Sequence, residues 1–293
     1  MTSIHNPPDR GLRKVVPPRP AVAGSPTISL RRLLARPGGA FIGRSAVVLA
    51  LIGVWALVAG LLQSSWVSSP METAKTLNGW VADGSLWFHL QVTLAAMIAG
   101  FAIGSVAGIA CGITLGFLPF VERVFSPFIV ALYSLPKIAI APLLVIAFGI
   151  GIESKIVLVA ITVFFMMMFS ALDGVREIDS DLIQTLRLMG ASQSEIARKI
   201  ILPGALTWIF VGLRLSVRLA FTAAILGEII SSNRGIGYLI EFSAVKYDSA
   251  GVFAAIIVVV ACSVVLTAIV TRVEKTTSRW RLSNAVEVPD GAL

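Results

Sequence analysis

Four charged residues interrupt otherwise apolar stretches of this 293-residue chain: Lys137, Arg214, Arg218 and Glu228. A charge in such a run is costly, by about 3 kcal/mol or more, unless it is paired or faces water, so each is a candidate for handling a polar solute along a pathway. Arg214 and Arg218 are one helical turn apart, and Glu228 returns close to the same face at about 100° per residue. A helix there carries all three charges on one stripe. At about 1.5 Å of rise per residue, Glu228 stands roughly 20 Å from Arg214, too far for a direct pair within one helix. The alternative is that the arginines snorkel to one membrane interface and Glu228 reaches the other. Lys137 lies between Pro136 and Pro142, which break a helix and free carbonyls for its ammonium.

Bond-making chemistry has little support. The two histidines, His5 and His89, are too scattered for a metal site, and Cys111 and Cys262 fall in apolar stretches as small packing residues. The sequence contains neither an H-E-x-x-H zinc signature nor a G-x-x-x-x-G-K-[ST] phosphate loop. The chain is therefore expected not to be an enzyme. ATP-driven work by it needs another subunit.

The elements that position these residues are membrane spans. A composition 56% hydrophobic and 14% charged, with mean hydropathy +0.88, is that of an all-α integral membrane protein. A net charge of +8 comes from bases gathered in the tails and between apolar runs, unlike the single basic face of a nucleic-acid binder. Six apolar runs are long enough to cross a bilayer: 45–63, 89–118, 126–150, 156–172, 203–230 and 250–271. The Pro-rich, basic residues 1–43 read as a disordered cytoplasmic arm, 44–280 as the transmembrane domain and 281–293 as a cytoplasmic tail. Basic residues concentrate on the side of both termini, whereas the other side keeps Lys75, Lys155, Arg234 and Lys246, so both termini are expected in the cytoplasm. Gly100, Gly104, Gly108, Gly112 and Gly116 recur every four residues and form a groove for close helix packing. The segment 231–247 reads as a short amphipathic hairpin, either an outer gate or a plain interfacial loop.

The longest loop, within 173–203, is the informative one. Asp179 or Ser180 caps a first short helix whose apolar face carries Leu182, Ile183, Leu186 and Met189. Gly190 suits the left-handed residue that closes a helix, and Ser192 with Glu195 forms a capping box that starts a second. Pro203 fits the first turn of the following span. Such a helix pair on the cytoplasmic side is either a docking element for a soluble partner or a connecting loop that packs on its own bundle.

Here a resemblance becomes specific. Gln184-Thr185-Leu186, three residues, Gly190, nine residues, then Ile200-Ile201-Leu202-Pro203 resembles the coupling loop of the permeases of binding-protein-dependent ATP-binding cassette importers. Their Glu-Ala-Ala is replaced by Gln-Thr-Leu, so the contact here is expected to lean on apolar packing through Leu186 and Met189. Ser134-Leu135-Pro136-Lys137, Pro142-Leu143, Phe148-Gly149-Ile150-Gly151 and Gly235-Ile236-Gly237-Tyr238-Leu239-Ile240 are similar to the nitrate, sulfonate and taurine branch. The resemblance implies the type I importer permease fold of five to six helices in a bacterial inner membrane, usually homodimeric. It also implies two ATPase subunits that bind ATP and Mg, an extracytoplasmic substrate-binding protein, and an anion such as a sulfonate or nitrate as solute. Carriers of uncharged vitamin precursors are similar too. A stand-alone channel or ion-coupled carrier is the competing reading.

Overall fold

The computed structural model describes residues 37–62 and 66–277, so most of the predicted arm and the whole tail lie outside the described residues. Contacts divide the chain after Gly53. Of the first unit only the opening of helix α1 (Pro37–Leu62) is described. That helix starts inside the stretch assigned to the arm, at a proline, whose missing N–H costs nothing in a first turn.

The second unit follows as α2 (Pro70–Ala82), α3 (Ser85–Phe117), α4 (Pro119–Ser134), α5 (Lys137–Phe148) and α6 (Ile152–Arg176). Then come α7 (Ser180–Leu188), α8 (Gln193–Ile196), a π turn (Ala197–Ile201), α9 (Leu202–Ser231), α10 (Ile236–Val245) and α11 (Ser249–Thr277). Five helices among the described residues are long and apolar enough to cross a membrane, and the pair α4–α5 makes a sixth span if its 86° bend is counted as one crossing. We call the end that carries α7 the loop end and the end that carries α10 the far end.

Helix α6 forms the centre of the core, with Val159, Val163, Met167 and Ala171 fully buried. On one side the five glycines of α3 lie against it. A Cβ at Gly100, Gly104, Gly108, Gly112 or Gly116 would come within 3.0 Å of Val159, Val163, Met167, Ala171 or Val175 respectively. On its other side Gly174 meets Ala205 and Trp208 of α9, and Gly212 of α9 meets Ser170. Between helices in lipid the gain comes from close packing rather than transfer out of water, and missing side chains are what allow it.

The span predicted at 126–150 is not one helix. Leu135 is extended, with ψ 131°, because a residue before proline is driven out of the helical region, and the chain turns sharply at Pro136. Pro142, expected to break the chain as well, sits inside α5, which continues through it. The hairpin expected over 231–247 is instead a turn followed by the single helix α10.

Candidate functional site

At the loop end, Asp179 caps α7 by accepting the N–H of Asp181 at 2.8 Å. Gly190 closes it at φ 88°, while the Ala191 N–H donates to Leu186 and the Gly190 N–H to Arg187, each at 3.0 Å. This is the paired-bond ending that a left-handed glycine permits. Ser192 and Glu195 form the expected reciprocal capping box and start α8. The π turn then carries the chain into α9, with Pro203 in its first turn and Ile196 and Ile201 buried. Arg176 pairs with Glu122 of α4, and the Trp208 indole of α9 donates to Glu177. The start of the loop is thus held to α4 and α9.

The helix has two faces. Ile183 and Leu186 turn inward onto the core with Ile178 and Ala191. Leu188 is 90% exposed and Met189 78%, and Leu182 is 45% exposed. Leu186, expected on the docking face, therefore belongs to the inner one, three residues from Ile183 on the same side of the helix. Leu188 takes the outer position. Gln184 and Thr185 are exposed, and the Thr185 hydroxyl is spent on the Asp181 carbonyl at 2.8 Å. Ile200 and Pro203 are half-buried and Leu202 is exposed.

At the far end lies a polar cluster inside the bundle. Glu228 of α9 is 1% exposed, and its Oε2 accepts from the Thr93 hydroxyl of α3 at 3.0 Å and from the Gly237 N–H at 2.8 Å. The Ile236 N–H donates to Thr93 Oγ1 at 2.8 Å and the Gly235 N–H to His89 Nδ1 at 3.0 Å. Three consecutive amides at the start of α10 are thereby clamped to α3 and α9. Gly235, at φ 110°, and Gly237 press against Glu228 so closely that a Cβ on either would collide with its side chain. Beside it Lys155 of α6, 3% exposed, donates to the carbonyls of Ile150 at 2.5 Å and Ser231 at 2.6 Å. Lys155 was expected among the residues outside the membrane on this side. Its aliphatic stem instead packs inside the bundle, where the carbonyls left over at the end of α9 and before α6 solvate its head.

The charges of α9 share one helix but not one environment. Arg214 pairs with Glu274 of α11 at 3.3 Å, Arg218 is exposed, and Glu228 is enclosed by α3 and α10. An angular match along one helix says nothing of which neighbour covers each level of it. Lys137 donates to the Tyr133 carbonyl at 2.8 Å, the acceptor that its own backbone N–H would take in an unbroken helix, and lies 4.1 Å from the Tyr133 ring centre. His89, Thr93, Lys155 and Glu274 were missed by sequence reading.

The comparisons agree with this arrangement. The family described as "Binding-protein-dependent transport system inner membrane component" matches residues 100–279, which span the glycine seam, the loop and α9 to α11. The chain is similar to a putative aliphatic sulfonates transport permease protein of Escherichia coli (strain K12), 37% identical over 191 residues, covering 64% of this chain and 73% of that one. A protein of the same description from Bacillus subtilis (strain 168) is 28% identical over 235 residues, 80% of this chain and 85% of that one. Among solved structures, a chain of the MetNI methionine ABC transporter in inward facing conformations superposes with TM-score 0.55 over 71% of this chain and 98% of that one, at 21% identity. That likeness shows the fold. With a glycine-seamed helical bundle, a capped loop at one end and a family match across both, the chain belongs to the inner membrane components of binding-protein-dependent transport systems, as a permease subunit of an ABC importer.

Proposed function

We propose that this permease passes a small organic or inorganic anion, a sulfonate or nitrate among the candidates, from an extracytoplasmic binding protein through the bacterial inner membrane. A pair of identical permease chains alternates the exposure of a shared pathway, and α7 lies in a cleft of the ATPase subunit on the cytoplasmic side, where both termini also lie. The observation that carries the reading is the exposure of Leu188 and Met189 at the end of a helix capped at both ends. Large apolar side chains on a rigid surface element mark a protein contact. Support for the orientation comes from the excess of Lys and Arg on the loop-end side. Support for an anion comes from Lys137, Arg214, Arg218 and Lys155 and from the sulfonate transport named for the relatives. Glu228 belongs to the same pathway as its acidic member.

The test is Gly190→Val. A β-branched residue at φ 88° introduces backbone strain of about 1–2 kcal/mol and displaces α7. The expected result is a permease still present in the membrane, in which ATP hydrolysis is uncoupled from uptake. Normal uptake contradicts the proposal. Flux that persists without ATP points instead to a channel or ion-coupled carrier.

A further inference from the structure

The three amides that open α10 are held by acceptors of different kinds. Ile236 gives its N–H to the Thr93 hydroxyl and Gly237 gives its own to the Glu228 carboxyl. A hydroxyl accepts at any pH, and a carboxyl keeps an acceptor oxygen when it is protonated. Gly235 depends instead on His89 Nδ1, at 3.0 Å. An imidazole nitrogen accepts only while the ring is neutral, here with the proton on Nε2, because imidazolium carries an N–H on both nitrogens. With the charged ring two donors face each other at this contact, and the Gly235 N–H has no acceptor there. Gly235 also ends the turn whose residues Ser232, Asn233 and Arg234 border, with Lys155 and Glu228, a cavity of about 490 Å³.

His89 is half-buried near the start of α3, its ring stacked on Tyr238 of α10 with centroids 5.6 Å apart and packed steeply against Phe88 at 5.3 Å. Charged groups stand on several sides. Arg234 of the turn lies over the Phe88 ring, 5.4 Å from its centre, and Glu228 of α9 lies against Gly235. Lys155 of α6 lines the same cavity, and Asp83 accepts the Ser85 N–H ahead of α3. Helix α2 contributes the apolar Leu77 and Trp80 to the cluster that includes Tyr238. The balance of these charges sets the pH at which the ring takes up a proton. It does not alter the consequence, since no outside charge gives imidazolium an acceptor.

We propose that His89 is a proton-operated latch: the neutral ring holds Gly235 and the start of α10 to α3, and uptake of a proton releases them and loosens one wall of the cavity. The hold is present at neutral pH and is lost as pH falls through the value at which His89 becomes charged. The latch answers to the medium at the far end. That this medium is extracytoplasmic rests on the orientation proposed above, whereas the latch itself does not.

The test is hydrogen exchange of the full-length permease in lipid nanodiscs, whose two faces meet the same buffer. Protection factors of the peptide that opens α10 are compared at about pH 7.5 and about pH 5, either side of the usual imidazole range. Losing one partly buried hydrogen bond is worth about fivefold or more, so protection in the unaltered chain is expected to fall at least about fivefold at the lower pH. In His89→Asn, whose Oδ1 stands near the place of Nδ1 and accepts without titrating, protection is expected to stay within about twofold of the neutral-pH value at both. In His89→Phe, which keeps the stack on Tyr238 but has no acceptor, it is expected to be low at both. Equal protection of the unaltered chain at the two pH values overturns the latch without recourse to any variant. A fall in His89→Asn as large as in the unaltered chain also overturns it, by assigning the pH dependence to another group such as Glu228. A reversed orientation in the membrane changes none of these readings.

Discussion

Gly235 and Gly237 illustrate how a residue choice that looks merely permissive is forced by a neighbour. Both lie against the Glu228 side chain, and the second also faces the Ile225 carbonyl, 2.6 Å from where a Cβ would stand. Gly237→Ala is therefore expected to displace Glu228 and destabilise the folded permease by about 1–3 kcal/mol, read as a lower melting temperature in detergent. Thr93→Val keeps the shape of the side chain but leaves the Ile236 N–H without its acceptor, in a site closed to water. Its expected cost is likewise about 1–3 kcal/mol. An unchanged melting temperature in both variants contradicts the clamp. None of this was legible from residue types alone. Glu228 stood out as a charge in an apolar run, but its partner Thr93 lies 135 residues away along the chain and reaches it only through the fold. Lys155 was hidden for the opposite reason: it sits beside Glu153 at the edge of an apolar run, where a lysine usually reaches water.

At the scale of elements, local signals carried further. The capping box at Ser192, the closing glycine at Gly190 and the four-residue glycine repeat each depend on short-range geometry, and each element they imply is present. The repeat indicated close packing without naming the partner helix, which is α6. Gly108→Val is expected to force α3 and α6 apart and reduce folded permease in the membrane severely. By contrast, Gly79→Ala in α2, where a Cβ meets nothing within 4 Å, is expected to stabilise by about 0.5–1 kcal/mol through helix propensity. A similar loss in both variants contradicts the packing account. Helix α2 also carries a pH signature. The Ser69 backbone N–H, then the Ser69 and Ser68 hydroxyls, hold the exposed Glu72 carboxyl below its usual range. A depressed folded-state value means that the cap's contribution is present at neutral pH and is lost as pH falls through the lowered value. Hydrogen exchange in the first turn of α2 is expected to quicken there, and Glu72→Gln is expected to remove that pH dependence. A turn that exchanges alike at all pH values contradicts the role of the cap. The sharp bend at Pro136 was half legible, since the proline was evident, whereas the continuation of α5 through Pro142 depends on its neighbours.

At the scale of the molecule, composition and apolar run lengths sufficed for the class of fold, because a bilayer admits few solutions to backbone hydrogen bonding. The division of labour between the two ends required the structure. One end holds a helix, entered through the anchors Arg176–Glu122 and Trp208–Glu177, that turns Ile183 and Leu186 inward and Leu188 and Met189 outward, and the other a clamp that fastens α10 to α3 and α9. The two ends are joined by α6 and α9, which pack closely together at Gly174 and Gly212. The central claim is that Leu188 and Met189 seat the ATPase by apolar packing. The most direct measurement is copurification of the ATPase subunit in detergent with the unaltered permease and with Leu188→Asp/Met189→Asp, at low and high salt. The account predicts a complex that persists in high salt with the unaltered chain, since apolar contacts are not screened, and that falls at least about tenfold with the double variant. Full retention of the ATPase by the double variant, or dissociation of the unaltered complex by salt alone, contradicts it.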